Sequence, residues 1–82
     1  MNIYFKRYWE EEGILFYLHF RNGWPCRQIE IHSDKRLFMS EEHPQCGEFF
    51  LCDQPLSELD TNELNEIQEK EFERVWNTQK NL

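Results

Sequence analysis

From Ile14 to Arg21 the side chains alternate with a period of two. Ile14, Phe16, Leu18 and Phe20 fall on one side, and Leu15, Tyr17, His19 and Arg21 on the other. That periodicity belongs to a β-strand. Asn22-Gly23 follows at once, and this dipeptide tolerates positive φ at both central positions of a tight turn, so a second strand must return beside the first. A hairpin early in an 82-residue chain commits its neighbours to an antiparallel sheet.

The flanking segments extend this sheet. Residues 2–9, Asn-Ile-Tyr-Phe-Lys-Arg-Tyr-Trp, are rich in β-formers and read as the first strand, and Glu10-Glu11-Glu12-Gly13 is a polar turn. Pro25 cannot donate to a ladder, so the strand after the hairpin is predicted to begin at about Cys26. It runs through Arg27, Ile29 and Ile31, with Gln28, Glu30 and His32 opposite. Ser33-Asp34-Lys35 is a turn, 36–39 a short strand, 40–46 a loop and 48–52 a last strand. Beyond Asp53-Gln54-Pro55 the acidic, leucine-spaced remainder reads as helical. Leu64, Ile67, Phe72, Val75 and Trp76 share one side of a wheel, with Glu63, Glu66, Glu69 and Glu73 towards the other. A short helical turn near 56–60 and a main helix near 68–79 are predicted, and 61–67 is ambiguous. The fold class is α+β: an antiparallel meander of four or five strands, one face covered by the C-terminal helix through Phe72, Val75 and Trp76.

Residues 1–82 form a single domain, and a chain this short needs large side chains to build a core. Seven Phe, three Tyr and three Trp supply them. No run of about 18 apolar residues could span a bilayer, and no signal-like N-terminus precedes the strands. Three cysteines, Cys26, Cys46 and Cys52, are an odd number in a chain without a secretory signal, so they are expected as reduced thiols in the cytoplasm.

Charge is segregated. Residues 1–40 carry six basic and five acidic side chains, a net of +1, and residues 41–82 carry three basic and eleven acidic ones, a net of −8; together these give −7. An acidic chain is poorly suited to nucleic acid or to anionic membranes, because phosphate recognition needs clustered Lys and Arg. It is suited to a basic protein partner.

Trp24-Pro25-Cys26-Arg27-Gln28-Ile29-Glu30-Ile31 followed by Asp34-Lys35-Arg36, then Pro55-Leu56-Ser57-Glu58-Leu59 and Glu71-Phe72-Glu73-Arg74-Val75-Trp76, together resemble a small uncharacterised acidic bacterial domain family. That family has a Val/Ile-Glu-Val/Ile strand, an Asp-Gly-Arg turn, a Pro-Leu-x-Glu-Ile segment and a closing Glu-Phe-Glu-x-Val-Trp helix. The likeness covers about residues 14–76. Lys35 stands where a turn Gly is usual, Pro25 interrupts the strand entry, and Gln68 replaces a helix-start Ser, which weakens the N-cap. The resemblance implies a fold and no activity. In size and acidity the chain also resembles the immunity proteins that accompany toxins of contact-dependent growth inhibition, an association rather than a derivation.

Catalytic and metal chemistry find little support. His43 and Cys46 are spaced His-x-x-Cys, with Cys52, His32 and Cys26 as conceivable further ligands, but the second tight pair of a tetrahedral zinc site is missing. No cysteine has a glycine-rich elbow or helix-start context, and nothing in the sequence brings a thiol to His19 or His32. The three are read as structural thiols beside surface imidazoles. Glu10-Glu11-Glu12, Glu41-Glu42 and the Glu69/Glu73 pair lack the cleft that carboxylate catalysis needs and the alternating acids and central Gly of a calcium loop. No catalytic residue, metal or cofactor is expected. Trp24 is read as core or core edge; Leu15, Tyr17 and His19 are either an exposed aromatic patch that anchors a partner or the second face of a sheet folded against the N-terminal strand; Trp76 and Phe72 are read as core.

The expected function is therefore that of an immunity protein. It would bind a cognate basic toxin domain, a nuclease above all, and block its active site or substrate surface through Glu41, Glu42, Asp53, Glu58, Asp60, Glu63, Glu66, Glu69 and Glu73, with an aromatic anchor near the centre. A nucleic-acid mimic and a small structural or regulatory adaptor are the alternatives. The chain is expected as a monomer, or as a homodimer if one sheet face is left bare.

Overall fold

The computed structural model describes residues 1–81. Four long strands form the predicted meander: β1 (Asn2–Trp9), β2 (Ile14–Arg21), β3 (Trp24–Ile31) and β4 (Arg36–Ser40). The chain then makes a two-residue hairpin, β5 (Gln45–Cys46) with β6 (Phe49–Phe50), and two single 3-10 turns at Leu56–Glu58 and Thr61–Glu63. Strand β7 (Asn65–Ile67), helix α1 (Glu69–Trp76) and a last 3-10 turn at Asn77–Asn81 complete it. The main sheet has the order β4-β3-β2-β1-β7, antiparallel throughout. The fold is the expected α+β sheet with one C-terminal helix.

The β2–β3 turn behaves as its sequence requires, with Asn22 at φ 53° and Gly23 at φ 85°, the positive pair of a tight hairpin. Strand β3 differs from expectation by starting at Trp24 rather than at about Cys26. Its register against β2 jumps between His19, opposite Arg27, and Phe20, opposite Pro25. Cys26 is thus the extra residue of a β-bulge. The irregularity accommodates Pro25, which has no N–H to give, inside the strand.

The fifth strand is a second difference. The expected strand at 48–52 shrinks to Phe49–Phe50, which pairs only with β5; the sheet's fifth member is β7, paired with β1 through Tyr4, Phe5 and Lys6. Leu64 and Ile67 therefore precede the helix instead of lying on its apolar stripe. Helix α1 has eight residues and no side-chain N-cap at Gln68, so it is held by packing rather than by its own ends. Phe72, fully buried, sits with Tyr4, Tyr17 and Ile29, and Leu15, Ile31, Phe38, Ile67, Val75 and Trp76 pack around them.

Because β4 and β7 are opposite edges, the segment 41–64 must carry the chain from one side of the sheet to the other. It does so along the face opposite α1. Leu56 N–H donates to Gly23 O (2.8 Å), and Cys52 N–H donates to Gln28 Oε1 (2.9 Å). The polar row Gln28, Glu30 and His32, which alternation alone would assign to solvent, lies beneath this strap. Gln28 Nε2 donates to Glu30 Oε2 (2.8 Å) and His32 Nε2 lies 3.1 Å from Glu30 Oε1. Each face of the sheet is thus crossed by another segment of the same chain, α1 on one and the strap on the other. No helix is long and apolar enough to cross a membrane.

Candidate functional site

The nine acids singled out in the sequence separate into two groups. Asp53, Glu58, Asp60, Glu63, Glu66 and Glu69 lie on the strap, on edge strand β7 and at the first turn of α1. All six are exposed, and no Lys or Arg occurs between 53 and 69. Of these, only Glu63 makes an ion pair among the described residues, with Arg7 Nη2 at 2.8 Å. Asp60 caps the second 3-10 turn by accepting from Asn62 N–H (3.0 Å). Glu41 and Glu42 stand apart in the loop after β4, Glu41 near Arg21 at 3.8 Å.

Glu73 is a correction. The wheel puts it on the solvent side of the helix, yet it turns towards the sheet and takes both ends of the Arg27 guanidinium, one contact being Nη1 to Oε1 at 3.2 Å. Hydrogen bonding from Arg27 holds its carboxyl below the ordinary value. This carboxylate is thus engaged within the chain.

Arg27 is the centre of a part-buried network. Its guanidinium lies 4.8 Å from the ring centre of Phe72 and 5.0 Å from that of Trp76, and its Nε–H donates to His19 Nδ1 (2.9 Å). His19 is also 3.1 Å from Cys26 Sγ, and its Nε2 is 2.9 Å from Asn2 Oδ1. The pattern fits a neutral ring that donates from Nε2 and accepts at Nδ1. Burial first, and then Arg27, lower the His19 pKa to about 4, and burial raises that of the Cys26 thiol. No sequence motif joins these two residues; the bulge brings Cys26 beside His19. His19 is consequently a buried imidazole rather than a surface one, and His32 is largely covered as well.

A thiol beside a histidine invites comparison with a nucleophile–base pair. That chemistry needs a thiolate or a base able to form one, and access for substrate. Here both groups are held neutral and each is 3% exposed, so the pair acts as packing and hydrogen bonding. His43 and Cys46 recruit no further ligands: among the described residues no three His, Cys, Asp or Glu side chains are grouped to hold a metal ion.

Trp24 is a second correction. It opens β3 at the hairpin tip, where the strap engages the backbone of Gly23 but leaves Trp24 56% exposed. Leu15, Tyr17 and His19 belong to a covered face, and the cover is α1 rather than the N-terminal strand.

Between the strap and the sheet lies an open cleft of about 270 Å³. Phe16 and Leu18 of β2 form its floor, Leu59 and Leu64 of the strap its wall, and Arg7, Asp60 and Glu63 its rim, with Cys52 at one end. Trp9, partly exposed, packs on Phe16 with ring centres 6.3 Å apart. Sequence reasoning identified the rim acids but not the cleft. Its apolar walls come from segments far apart in the chain, and only the edge-to-edge crossing of the strap joins them.

Comparison with known protein families, curated proteins and solved structures finds no match to this chain.

Proposed function

We propose that this chain is an immunity-type binding protein that neutralises a basic toxin domain, a nuclease above all, by occupying the surface on which the toxin receives its polyanionic substrate. The observation that carries this reading is the run from Asp53 to Glu69: six exposed carboxylates with no intervening base. Four of the cations meanwhile, Lys6, Arg7, Arg21 and Arg27, are engaged by Glu71, Glu63, Glu41 and Glu73. Intramolecular pairing thus quiets positive charge on the sheet and leaves the strap as a negative field.

Such a field raises the rate of encounter with a basic surface and rejects acidic partners more than it adds to final affinity. We assign the protein to the cytoplasm, where three unpaired thiols remain reduced. The test is affinity capture on the tagged protein in its native host, with elution in rising salt and mass spectrometry of the eluate. One stoichiometric basic partner released by salt supports the reading, and Glu66→Lys with Glu69→Lys should then slow its association about tenfold at low salt, in the range that charge steering allows. Many unrelated nucleic-acid-binding proteins would indicate mimicry instead, and a salt-resistant partner an adaptor.

A further inference from the structure

The cleft beneath the strap has three properties that together specify an occupant. Its volume, about 270 Å³, is at or below the small end of the roughly 300–1,000 Å³ typical of sites for free small molecules. Its walls, Phe16, Leu18, Leu59 and Leu64, are apolar, and its rim carries Asp60 and Glu63. Glu63 is balanced by Arg7, whereas the exposed Asp60 has only a backbone N–H on Oδ1 and makes no ion pair among the described residues. The rim therefore keeps one uncompensated negative charge over an apolar slot.

We propose that the cleft is a socket for an arginine side chain of the basic partner. The methylene stem lies along Leu18, Leu59 and Leu64, and the guanidinium reaches Asp60 in a cleft that Phe16 also lines. Arginine suits this geometry better than lysine, because its planar fork binds a carboxylate through two donors and its face stacks on aromatic rings. Arg7 already does half of this within the chain, lying opposite Phe16 in the β1–β2 register and pairing with Glu63. Centred among the strap acids, the socket would supply the desolvated anchor that a charged rim lacks. The inference rests on the reading that the partner is basic, and it defines the partner's central contact.

The test uses N-acetyl-arginine amide as a probe, titrated into the isotopically labelled full chain and followed by amide NMR, with N-acetyl-lysine amide and N-acetyl-leucine amide as comparisons. Saturable shifts confined to 16–18, 52 and 59–64, strongest for arginine, are expected. Asp60→Asn keeps the Oδ1 cap and removes the charge; it should weaken arginine binding about three- to fivefold, the scale of an exposed charge pair. The same spectra report whether that variant is folded. Arginine should also slow alkylation of Cys52 and leave Cys46 unchanged. Equal binding of leucine amide, shifts spread over Asp53, Glu66 and Glu69 alike, or no response at the cleft would each overturn the proposal. Failure of the toxin reading is separable, since a native-host capture without a basic partner leaves the arginine titration unaffected.

Discussion

Arg27→Met with Glu73→Gln forms a double-mutant cycle on the contact that joins α1 to the sheet. Met preserves most of the aliphatic packing and removes the guanidinium. Two cation–π contacts, at 4.8 and 5.0 Å, contribute about 1 kcal/mol each in a partly desolvated setting. The Glu73 pair, with side chains 18% and 34% exposed, lies between the surface value of up to about 1 kcal/mol and the larger cost of orphaning a buried charge. The donor lost by His19 adds little, because the Cys26 thiol remains within reach of Nδ1.

Arg27→Met should therefore cost about 3 kcal/mol and Glu73→Gln about 1 kcal/mol, with a coupling of about 1 kcal/mol between them. A domain this small has about 4–12 kcal/mol of total stability, so the arginine variant should lose about 12–24 °C in Tm. Paired thermal and urea unfolding of the four proteins measures it. A loss under about 0.5 kcal/mol for Arg27→Met, or additivity within about 0.3 kcal/mol, would refute the view that this guanidinium anchors the helix.

Stability should fall as pH drops from 6.5 towards 4. His19 keeps a folded pKa of about 4 against an ordinary 6.5, so the unfolded chain takes up a proton in that window that the folded chain refuses, at a cost of about 3 kcal/mol by pH 4. Glu73 adds a loss in the same direction at more acid pH, since its folded pKa lies below its ordinary value; an NMR titration of the His19 ring with an inflection at or above pH 6 would contradict the assignment. Among the three thiols, Cys46 and Cys52, both half-buried, should react promptly with an aromatic disulfide reagent, and Cys26 only on unfolding. Three thiols reacting at one rate would mean that the bulge does not shield Cys26.

The strands were legible because each carries its own signal: alternation in β2, Asn22-Gly23 at the hairpin, β-formers in β1. Strand β7 was not, since Asn65-Glu66-Ile67 is a strand only by pairing with Tyr4, Phe5 and Lys6 of β1, a long-range partner that outweighs local propensity. The fate of Glu73 was hidden for a related reason. A helical wheel separates polar from apolar, but it does not know that the sheet beneath offers an arginine. The buried row of Gln28, Glu30 and His32 misleads in the same way, because a strap with backbone groups to satisfy makes a polar strand face a good interior. Trp24 errs in the opposite direction: large and aromatic, it lies at a hairpin tip whose backbone is engaged by Leu56 and Met1, while the residue itself is left 56% exposed.

The departures at Glu73 and at Gln28 share one cause. The meander exposes polar groups on both of its faces: Arg27 and His19 on one, Gln28 and Glu30 on the other. The acidic half of the chain answers one group on each face, with Glu73 on Arg27 and the Cys52 and Phe50 backbone on Gln28, while His19 and Glu30 find their partners within the first half. Charge segregation along the sequence is therefore partly a folding device, matching an acidic second half to basic side chains of the first. What exceeds that need is the surplus. Once Glu41, Glu63, Glu71 and Glu73 are matched to Arg21, Arg7, Lys6 and Arg27, Asp53, Glu58, Asp60, Glu66 and Glu69 have no counterpart among the described ion pairs. They lie along one stretch of chain, on the strap and just after it. Self-repulsion among them opposes the fold, so the stability of the chain does not account for their concentration there.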